Sequence, residues 1–403
     1  MDTNESREKL RRLADGLSYL AVFRGLLNLT TMSSLHQMLS DPTPATVGEF
    51  VYNLYRHRGN LSDYILKAAY EDETPYIMKK ARRENIPFVM ERATDNELAL
   101  LEQVSMVTPA DVSAAMGDFF RIPEWENTKH DFRGMYKMRI EEIFTKGTGI
   151  FAKYTVFMLR GKELVPVLSP DPQRLSDLHE YKIQRKQIED NTLALLHGLP
   201  AANCLLYGDS GTGKSSTVKA IVNEYSEMGL RLIELKKPQL HMLPEVLERI
   251  AEDPLKFIIF IDDLSFSSGD EDFSTLKAAL EGSAAARSAN TVIYATSNRR
   301  HLVRESFSSR MADDIHAGDT RQELSSLSER FGLKLTFLKP DKETYLSIVS
   351  HLADKYGIDT DRDTLFEQAE AYALRRNGRS GRAAKQFVES LAAGGHAEHH
   401  DML

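Results

Sequence analysis

The sequence predicts an α/β fold built on a parallel sheet, preceded by a helical region and followed by a small helical domain. Three observations support this prediction. Five short apolar segments alternate with helical patterns between 203 and 338, as in a parallel sheet covered by helices. A glycine-rich segment directly follows the first apolar segment, and no strand pattern is found after Pro340.

Length and composition fit a multi-domain globular protein. The chain has 403 residues, of which 42% are apolar and 27% charged, and this is an ordinary globular mixture. At about 150 residues per domain, the length predicts two or three folded units. We expect an N-terminal helical domain, a β-hairpin with a linker, an α/β domain, a helical lid and a flexible tail, bounded as 1–145, 146–178, 179–340, 341–394 and 395–403.

The net charge and the cysteine content indicate which class of partner and which cellular compartment to expect. With 51 basic and 59 acidic residues the net charge is −8, which favours a protein partner over nucleic acid. Cys204 is the single cysteine, so no intrachain disulfide can form. No apolar stretch approaches the roughly 18 residues that a membrane span needs. We therefore expect a cytoplasmic protein with no membrane partner.

The region before the α/β domain contains helices and then a hairpin. Leu10, Leu13 and Leu17 follow the spacing of one buried helix face, and similar patterns continue to about residue 145. Two β-branched and aromatic runs in 150–168 predict a hairpin. Because both faces of its first run are apolar, we expect another element or a neighbouring subunit to cover it.

The α/β domain and the lid follow from the periodicity of the apolar residues. The predicted strands are 203–208, 230–235, 256–264, 291–298 and 333–338. Three helical patterns then predict the lid, over 341–356, 361–377 and 380–393.

The glycine-rich segment GDSGTGKS fits the phosphate-loop pattern, with a strand before it and a helix after it. Its glycines allow a tight turn in which backbone N–H groups converge on a phosphate. Lys214 supplies a positive charge, and the hydroxyl of Ser215 is a hard oxygen ligand suited to Mg²⁺. The predicted nucleotide-binding residues are Gly208, Asp209, Ser210, Gly211, Thr212, Gly213, Lys214, Ser215 and Ser216.

An acidic pair follows the third predicted strand, in the segment FIIFIDDL. We predict that Asp262 holds Mg²⁺ and that Asp263, pointing to the other side, orients or deprotonates the attacking water. The alternative is that the two carboxylates only cap the following turn. The presence of a phosphate loop favours the functional interpretation, because such a loop needs a carboxylate partner near the metal.

Together, these motifs resemble those of the AAA+ ATPases over about 179–394. More closely, the strings GLPAANCLLYGDSGTGKSS, IIFIDDLSF, VIYATSNRRHL, LSERFGL and GRSGRAAKQFV are similar to a bacterial AAA+ family of ATP/GTP-binding proteins whose task is unknown. The resemblance implies a P-loop AAA+ domain with a five-stranded parallel sheet in the order 5-1-4-3-2 and a C-terminal helical lid. It also implies that nucleotide binds at the carboxyl ends of the strands.

The resemblance assigns further residues of the catalytic site. Asn298 takes the sensor position, where its amide holds the attacking water. Arg330 takes the arginine-finger position, which in this superfamily reaches the γ-phosphate bound by an adjacent subunit. Arg310 is the rival candidate for that role.

The resemblance also assigns residues on the lid and on the base side of the nucleotide. Arg382 takes the second-sensor position, with Arg379 as the alternative. Tyr181 and Ile183 fall in the element that lines the adenine pocket.

The function implied is a Mg²⁺-dependent ATPase, acting as a homo-oligomer to remodel or load a macromolecular partner, with ATP and Mg²⁺ as cofactors. The alternative is a nucleotide-gated binding or adaptor module with little hydrolysis, because Asp263 stands where many AAA+ enzymes carry the longer Glu. A small-molecule kinase fits less well, because the arginine and lid positions follow the AAA+ order. The partner, the subunit number and the preference for ATP over GTP stay open.

Overall fold

The computed structural model describes residues 3–117, 121–266, 272–281, 289–298, 327–376 and 378–397. The chain divides into two compact units, Met1–Lys153 and Tyr154–Leu403. The boundaries of the five segments predicted from the sequence stay predictions. No helix in the described ranges has the length and apolar character needed to cross a membrane.

The N-terminal unit is helical. Its helices are α1 Thr3–Ser18, α2 Thr30–Ser40, α3 Pro44–Tyr55, α4 Leu61–Glu71, α5 Pro75–Ala81, α6 Phe88–Ser105, α7 Pro109–Met116, α8 Phe132–Glu141, α9 Ile143–Lys146 and α10 Gly149–Lys153. A short 3₁₀ helix, Arg24–Asn28, precedes α2. One apolar core joins α1 to α8, and Leu10, Leu35, Phe50 and Phe132 are fully buried in it.

Polar side chains fix where these helices begin. Thr43 Oγ1 accepts a hydrogen bond from Thr46 N–H at the start of α3, and Asn60 Oδ1 accepts one from Asp63 N–H at the start of α4. Such caps satisfy the N–H groups that have no partner within the helix.

The second unit contains one sheet with helices around it. Its strands are β1 Val156–Arg160, β2 Glu163–Pro166, β3 Cys204–Gly208, β4 Leu230–Leu235, β5 Lys256–Ile261, β6 Thr291–Ser297 and β7 Leu333–Phe337. The helices among them are α11 Lys182–Leu196, α12 Lys214–Tyr225, α13 Leu243–Ile250 and α14 Asp272–Glu281. Short 3₁₀ helices are Leu175–Asp177, Ser226–Met228 and Lys237–Met242.

The five predicted strands adjoin one another in the predicted order 5-1-4-3-2, as β7, β3, β6, β5 and β4. The predicted count of five was wrong, because the sheet has seven strands in the described ranges alone. The hairpin extends it: β1 pairs parallel with β4, matching Val156 to Leu232, and β2 pairs antiparallel with β1. The hairpin therefore extends the sheet at the edge strand β4. This pairing joins residues far apart in the sequence, and local periodicity does not specify it.

The sheet places the residues of the predicted nucleotide site at the carboxyl ends of its strands. β5 lies at its centre, and Phe257 to Ile261 are completely buried, as expected for a parallel strand covered on both faces. Because β3, β5, β6 and β7 run parallel, the residues that follow Gly208, Ile261 and Ser297 gather at the same carboxyl edge.

The lid consists of α15 Lys342–Tyr356, α16 Arg362–Arg375 and α17 Gly381–Ala397. These three helices enclose a small core of their own, in which Tyr345, Val349, Ala369 and Ala384 are fully buried. Asp341 caps α15 by accepting a hydrogen bond from Thr344 N–H.

Candidate functional site

The phosphate loop connects β3 to α12 and closely approaches the end of β7. Gly208 has φ +133°, and a Cβ there would lie 2.1 Å from the carbonyl oxygen of Phe337. Gly211 and Gly213 also have positive φ values, +78° and +91°, which glycine adopts without steric cost. The glycine spacing that identifies the loop in the sequence is thus required by its backbone.

Lys214 begins α12 and turns back towards the loop. Its Nζ donates to the carbonyl oxygens of Gly208 at 2.9 Å and Asp209 at 2.7 Å, and to Asn298 Oδ1 at 3.1 Å. Burial lowers the pKa of Lys214, and the carboxylates of Asp209, Asp262 and Asp263 partly oppose this effect. The ammonium group therefore connects the loop to the carboxyl end of β6.

Ser215 and Asp262 lie together beside the loop, as the sequence predicts for a metal site. Ser215 Oγ donates to Asp262 Oδ1 at 2.6 Å, and Thr296 Oγ1 donates to the same oxygen at 2.5 Å. A hydroxyl and a carboxylate oxygen are the hard ligands that Mg²⁺ accepts. The residues present therefore fit that ion.

Asp263 adopts a left-handed backbone conformation, with φ +53°. β5 ends at Ile261, so Asp262 and Asp263 lie on the turn that follows the strand. Both residues line one cavity, so strand alternation does not send Asp263 to the other side of the sheet as the sequence predicts. Asp263 N–H donates to Thr296 Oγ1 at 2.9 Å, and Asn298 Nδ2 donates to Asp263 Oδ1 at 2.8 Å. These contacts hold Asp263 in a conformation that is unfavourable for a non-glycine residue.

The lid contacts the loop through its backbone. Arg382 N–H donates to the carbonyl oxygen of Gly211 at 3.1 Å, and a Cβ on Gly211 would lie 3.1 Å from Ser380 Oγ. Arg382 faces the site, whereas the alternative candidate Arg379 forms a two-pronged ion pair with Glu370, at 2.8 and 2.5 Å, within the lid.

Several polar contacts hold the segment before α11, which the resemblance predicts to line the adenine pocket. Tyr181 has φ +53°, and its hydroxyl donates to the carbonyl oxygen of Leu338 at 2.6 Å. Burial, and secondly the charge of Asp209, raise the pKa of Tyr181 to about 12, so its hydroxyl remains a donor at neutral pH. Ile183 is 74% exposed and does not line the site.

Two histidines join this segment to the lid. The rings of His179 and His351 are stacked, with centroids 4.6 Å apart. His179 Nε2 lies 2.8 Å from Ser347 Oγ on α15. Arg185 donates to the carbonyl oxygens of Leu178 and His179, and burial lowers the pKa of Arg185 to about 10.

A cavity of about 640 Å³ extends from the phosphate loop to these histidines. The predicted residues that line it are Tyr181, Ser210, Gly211, Thr212, Gly213, Lys214, Ser215, Ser216, Asp262, Asp263, Asn298 and Arg382. Asp209 instead turns its Oδ2 to Lys339 N–H at 2.8 Å, and Gly208 supports the loop against β7. Most of the predicted set therefore shares one cavity.

Arg330, the first of the two arginine-finger candidates, does not line this cavity. Arg330 precedes β7, whose first residue Leu333 pairs with Cys204, the first residue of β3. Arg330 therefore lies at the amino ends of the strands, opposite the edge that carries the loop. Arg310 is outside the described residues.

Sequence reasoning missed Thr296 and the histidine pair. Thr296 is 2% exposed, and its hydroxyl serves both Asp262 and Asp263. One feature of the sequence could have indicated Thr296. It stands two residues before Asn298, and side chains two residues apart along a strand point to the same face. No comparable local signal brings His179 to His351, because their contact depends on how the lid packs.

Comparisons with known proteins address family and fold. Residues 152–395 match the family described as "Protein of unknown function (DUF815)". No curated protein sequence matches the chain.

Among solved structures, the chain is similar to the Thermotoga maritima RuvB Holliday junction branch migration motor, at 14% identity and TM-score 0.38, over 54% of this chain and 63% of RuvB. It is also similar to the FIGL-1 AAA domain in complex with ADP, at 18% identity and TM-score 0.39, over 57% of this chain and 75% of that domain. The chain thus spans less than two thirds of the RuvB structure. TM-scores this low do not identify the fold. The fold is identified by the strand order and the phosphate loop described above.

The order of the five predicted strands, the phosphate loop and the helical lid agree with the arrangement that the sequence resemblance implies. The family match covers more than half of the sequence, from 152 to 395. The chain belongs to DUF815, a family of proteins of unknown function.

Proposed function

We propose that this protein is a Mg²⁺-dependent ATPase that works as a homo-oligomer in the cytoplasm to remodel or load a macromolecular partner, a protein before a nucleic acid. One observation carries the ATPase proposal: Lys214, Asn298 and Asp263 form a continuous hydrogen-bonded path beside the Ser215–Asp262 pair. Phosphate-binding and water-orienting groups are thereby brought into one cavity.

The groups have distinct roles in this proposal. Loop N–H groups and the Lys214 ammonium bind the phosphates. Asp263 accepts a proton from the attacking water, or orients it, while Asn298 fixes the carboxylate by the 2.8 Å contact. Ser215 and Asp262 would hold Mg²⁺, which supplies positive charge that stabilises the phosphates in the transition state.

The lid and the subunit contact complete the proposal. Arg382 lines the cavity and is bonded through its backbone to Gly211, so we assign it to sensing the nucleotide. Arg330 lies away from the cavity of its own chain, which favours a role at the site of a neighbouring subunit.

The test is product analysis with [γ-³²P]ATP and Mg²⁺. We expect ADP and free phosphate as the only products. Lys214→Ala should lose nucleotide binding and turnover, whereas the nearly isosteric Asp263→Asn should bind ATP and fail to hydrolyse it. Lys129→Ala, which changes an exposed lysine of the N-terminal unit, is the matched control. Equal turnover in all four proteins would refute the assignment.

The second candidate is a nucleotide-gated adaptor. It is favoured by the short Asp263 side chain, one of whose oxygens already accepts a hydrogen bond from Asn298. Tight ATP binding with less than about one turnover per hour, set against the usual enzyme range of about 1–10³ s⁻¹, would favour the adaptor. Many turnovers per minute without an added partner would exclude it.

A further inference from the structure

A second cavity, of about 650 Å³, lies entirely within the N-terminal unit. It is bounded by the 3₁₀ helix Arg24–Asn28, the turn after α3, helix α4 and Lys153. We call it the N-terminal cavity. It shares no residue with the cavity at the phosphate loop, and the proposed ATPase activity makes no use of it.

Two cations of the N-terminal cavity, Arg56 and Arg58, are not paired with any of its carboxylates. Its lining includes the basic residues Arg56, Arg58, Lys67 and Lys153 and the acidic residues Asp63, Glu71 and Asp72. Glu71 pairs with Lys153 at 2.8 Å and lies 3.9 Å from Lys67. Within the described part of the chain, Arg56 and Arg58 have no side-chain hydrogen bond or ion pair.

The other two carboxylates also leave the arginines uncompensated. Asp63 Oδ1 lies 2.7 Å from His130 Nε2. Asp72 lies against Gly25, and burial, with the charge of Glu73 as the next cause, raises its pKa. The cavity therefore presents two exposed guanidinium groups.

The arginines are carried on a turn that is held in place. Arg58 has φ +71° and Gly59 has φ +76°, and the left-handed conformation is unfavourable for arginine. Gly59 N–H donates to the carbonyl oxygen of Leu54 at 3.2 Å, and Glu126 N–H donates to that of Gly59 at 3.0 Å. A backbone fixed in this way reduces the entropy lost when a ligand is bound.

Part of the lining of the N-terminal cavity is apolar or aromatic. Leu26 is buried, whereas Leu29 is 40% exposed. The ring of Tyr64 contacts that of His57, with centroids 4.8 Å apart. A ligand that fits these walls combines an anionic group with an apolar or aromatic body.

We propose that the N-terminal cavity binds a small organic phosphate. Each guanidinium fork can donate two parallel hydrogen bonds, and a phosphate ester offers three terminal oxygens and nearly two negative charges. The phosphate lies between Arg56 and Arg58, and its organic group lies against Leu29 and Tyr64. The net charge of −8 disfavours an extended nucleic acid as the ligand.

The test is calorimetric titration of the whole chain with phenyl phosphate. Arg56→Gln and Arg58→Asn should each weaken binding by about tenfold or more. Asparagine is chosen at 58 because it tolerates the left-handed conformation. Arg11→Gln, a change of an exposed arginine outside the cavity, and Lys214→Ala should leave binding unchanged.

Two further ligands define the class. Inorganic phosphate should bind more weakly than phenyl phosphate, and Leu29→Asn should reduce that difference; benzoate should bind more weakly still. The proposal is overturned if phenyl phosphate does not bind at millimolar concentration, or if only Lys214→Ala removes binding. It is also overturned if benzoate or inorganic phosphate binds as tightly as the ester. Matching unfolding midpoints would show that the variants are folded.

Discussion

Thr296 is the residue on which the geometry of both carboxylates depends. Its buried hydroxyl donates to Asp262 Oδ1 at 2.5 Å and accepts the N–H of Asp263 at 2.9 Å. One side chain therefore sets the direction of the proposed metal ligand and fixes the left-handed backbone of the proposed base. Sequence reasoning assigns Thr296 only to a strand, because its importance depends on the turn that follows a neighbouring strand.

Replacing that hydroxyl should separate catalysis from binding. Thr296→Val keeps the shape but removes the hydrogen bonds to Asp262 Oδ1 and from Asp263 N–H, at a cost of about 0.5–1.5 kcal/mol of unfolding free energy each. We expect the turnover number to fall by about tenfold or more, since each 1.4 kcal/mol of barrier is tenfold in rate, with little change in nucleotide affinity. Steady-state kinetics and urea unfolding measure these effects. Thr296→Ser restores the hydroxyl and should recover most of the rate; failure to recover would contradict the role.

Two glycines of the loop should respond differently to alanine. At Gly208 the added Cβ would lie 2.1 Å from the carbonyl oxygen of Phe337, whereas at Gly213 it meets no atom within 4 Å. Gly213→Ala therefore adds only conformational strain, about 1–2 kcal/mol, and Gly208→Ala adds a backbone clash. We expect a clearly lower urea midpoint for Gly208→Ala. Equal midpoints would show that β7 does not constrain the loop.

At the scale of elements, the contacts between the lid and the α/β domain include a backbone hydrogen bond, a pair of stacked rings and the contact of His179 Nε2 with Ser347 Oγ. Arg382 N–H meets the loop at Gly211, and His351 meets His179. The lid helices and the five core strands were predictable, because apolar periodicity and the loop motif are local. The contacts between them were not, since they depend on residues far apart in the sequence.

The two lid arginines should separate nucleotide binding from lid stability. Arg382→Ala removes a cation from the cavity and should weaken ATP binding by about tenfold, without loss of lid structure. Arg379→Ala breaks the pair with Glu370 and should lower the stability of the lid while leaving affinity nearly intact. Fluorescent-nucleotide titration and hydrogen exchange of the lid amides measure the two effects. The reverse pattern would make Arg379 the nucleotide sensor.

The histidine contact should make stability depend on pH. Burial, and then the nearby His351, lower the pKa of His179; Lys182 and Arg185 act in the same direction, and Glu180 opposes them. The folded state then binds fewer protons than the unfolded state near the ordinary pKa of about 6.5. Stability should therefore decline as pH falls from 7 to 5. His179→Gln, compared by thermal unfolding across this range, should flatten the decline; an unchanged slope would contradict the assignment.

At the scale of the molecule, the chain combines a helical N-terminal unit with a unit that contains the sheet, the phosphate loop and the helical lid. The sheet order and the lining residues Tyr181, Asn298 and Arg382 were implied by the resemblance to the AAA+ ATPases, and the other predicted lining residues follow from the phosphate-loop and acidic motifs. The addition of β1 and β2 to the edge beside β4 does not, because Val156 pairs with Leu232 across a long sequence separation. The role of Arg330 also does not follow from one chain, because Arg330 lies at the amino ends of the strands and the phosphate loop lies at their carboxyl ends.

The measurement that tests the central claim most directly is ATP turnover per subunit over a wide range of protein concentration, with Arg330→Ala alongside. If sites are completed by a neighbouring subunit, activity per subunit rises with concentration, and the arginine variant loses it while still binding ATP. Turnover that is independent of concentration and unaffected by Arg330→Ala would contradict the proposal of a shared-site ATPase.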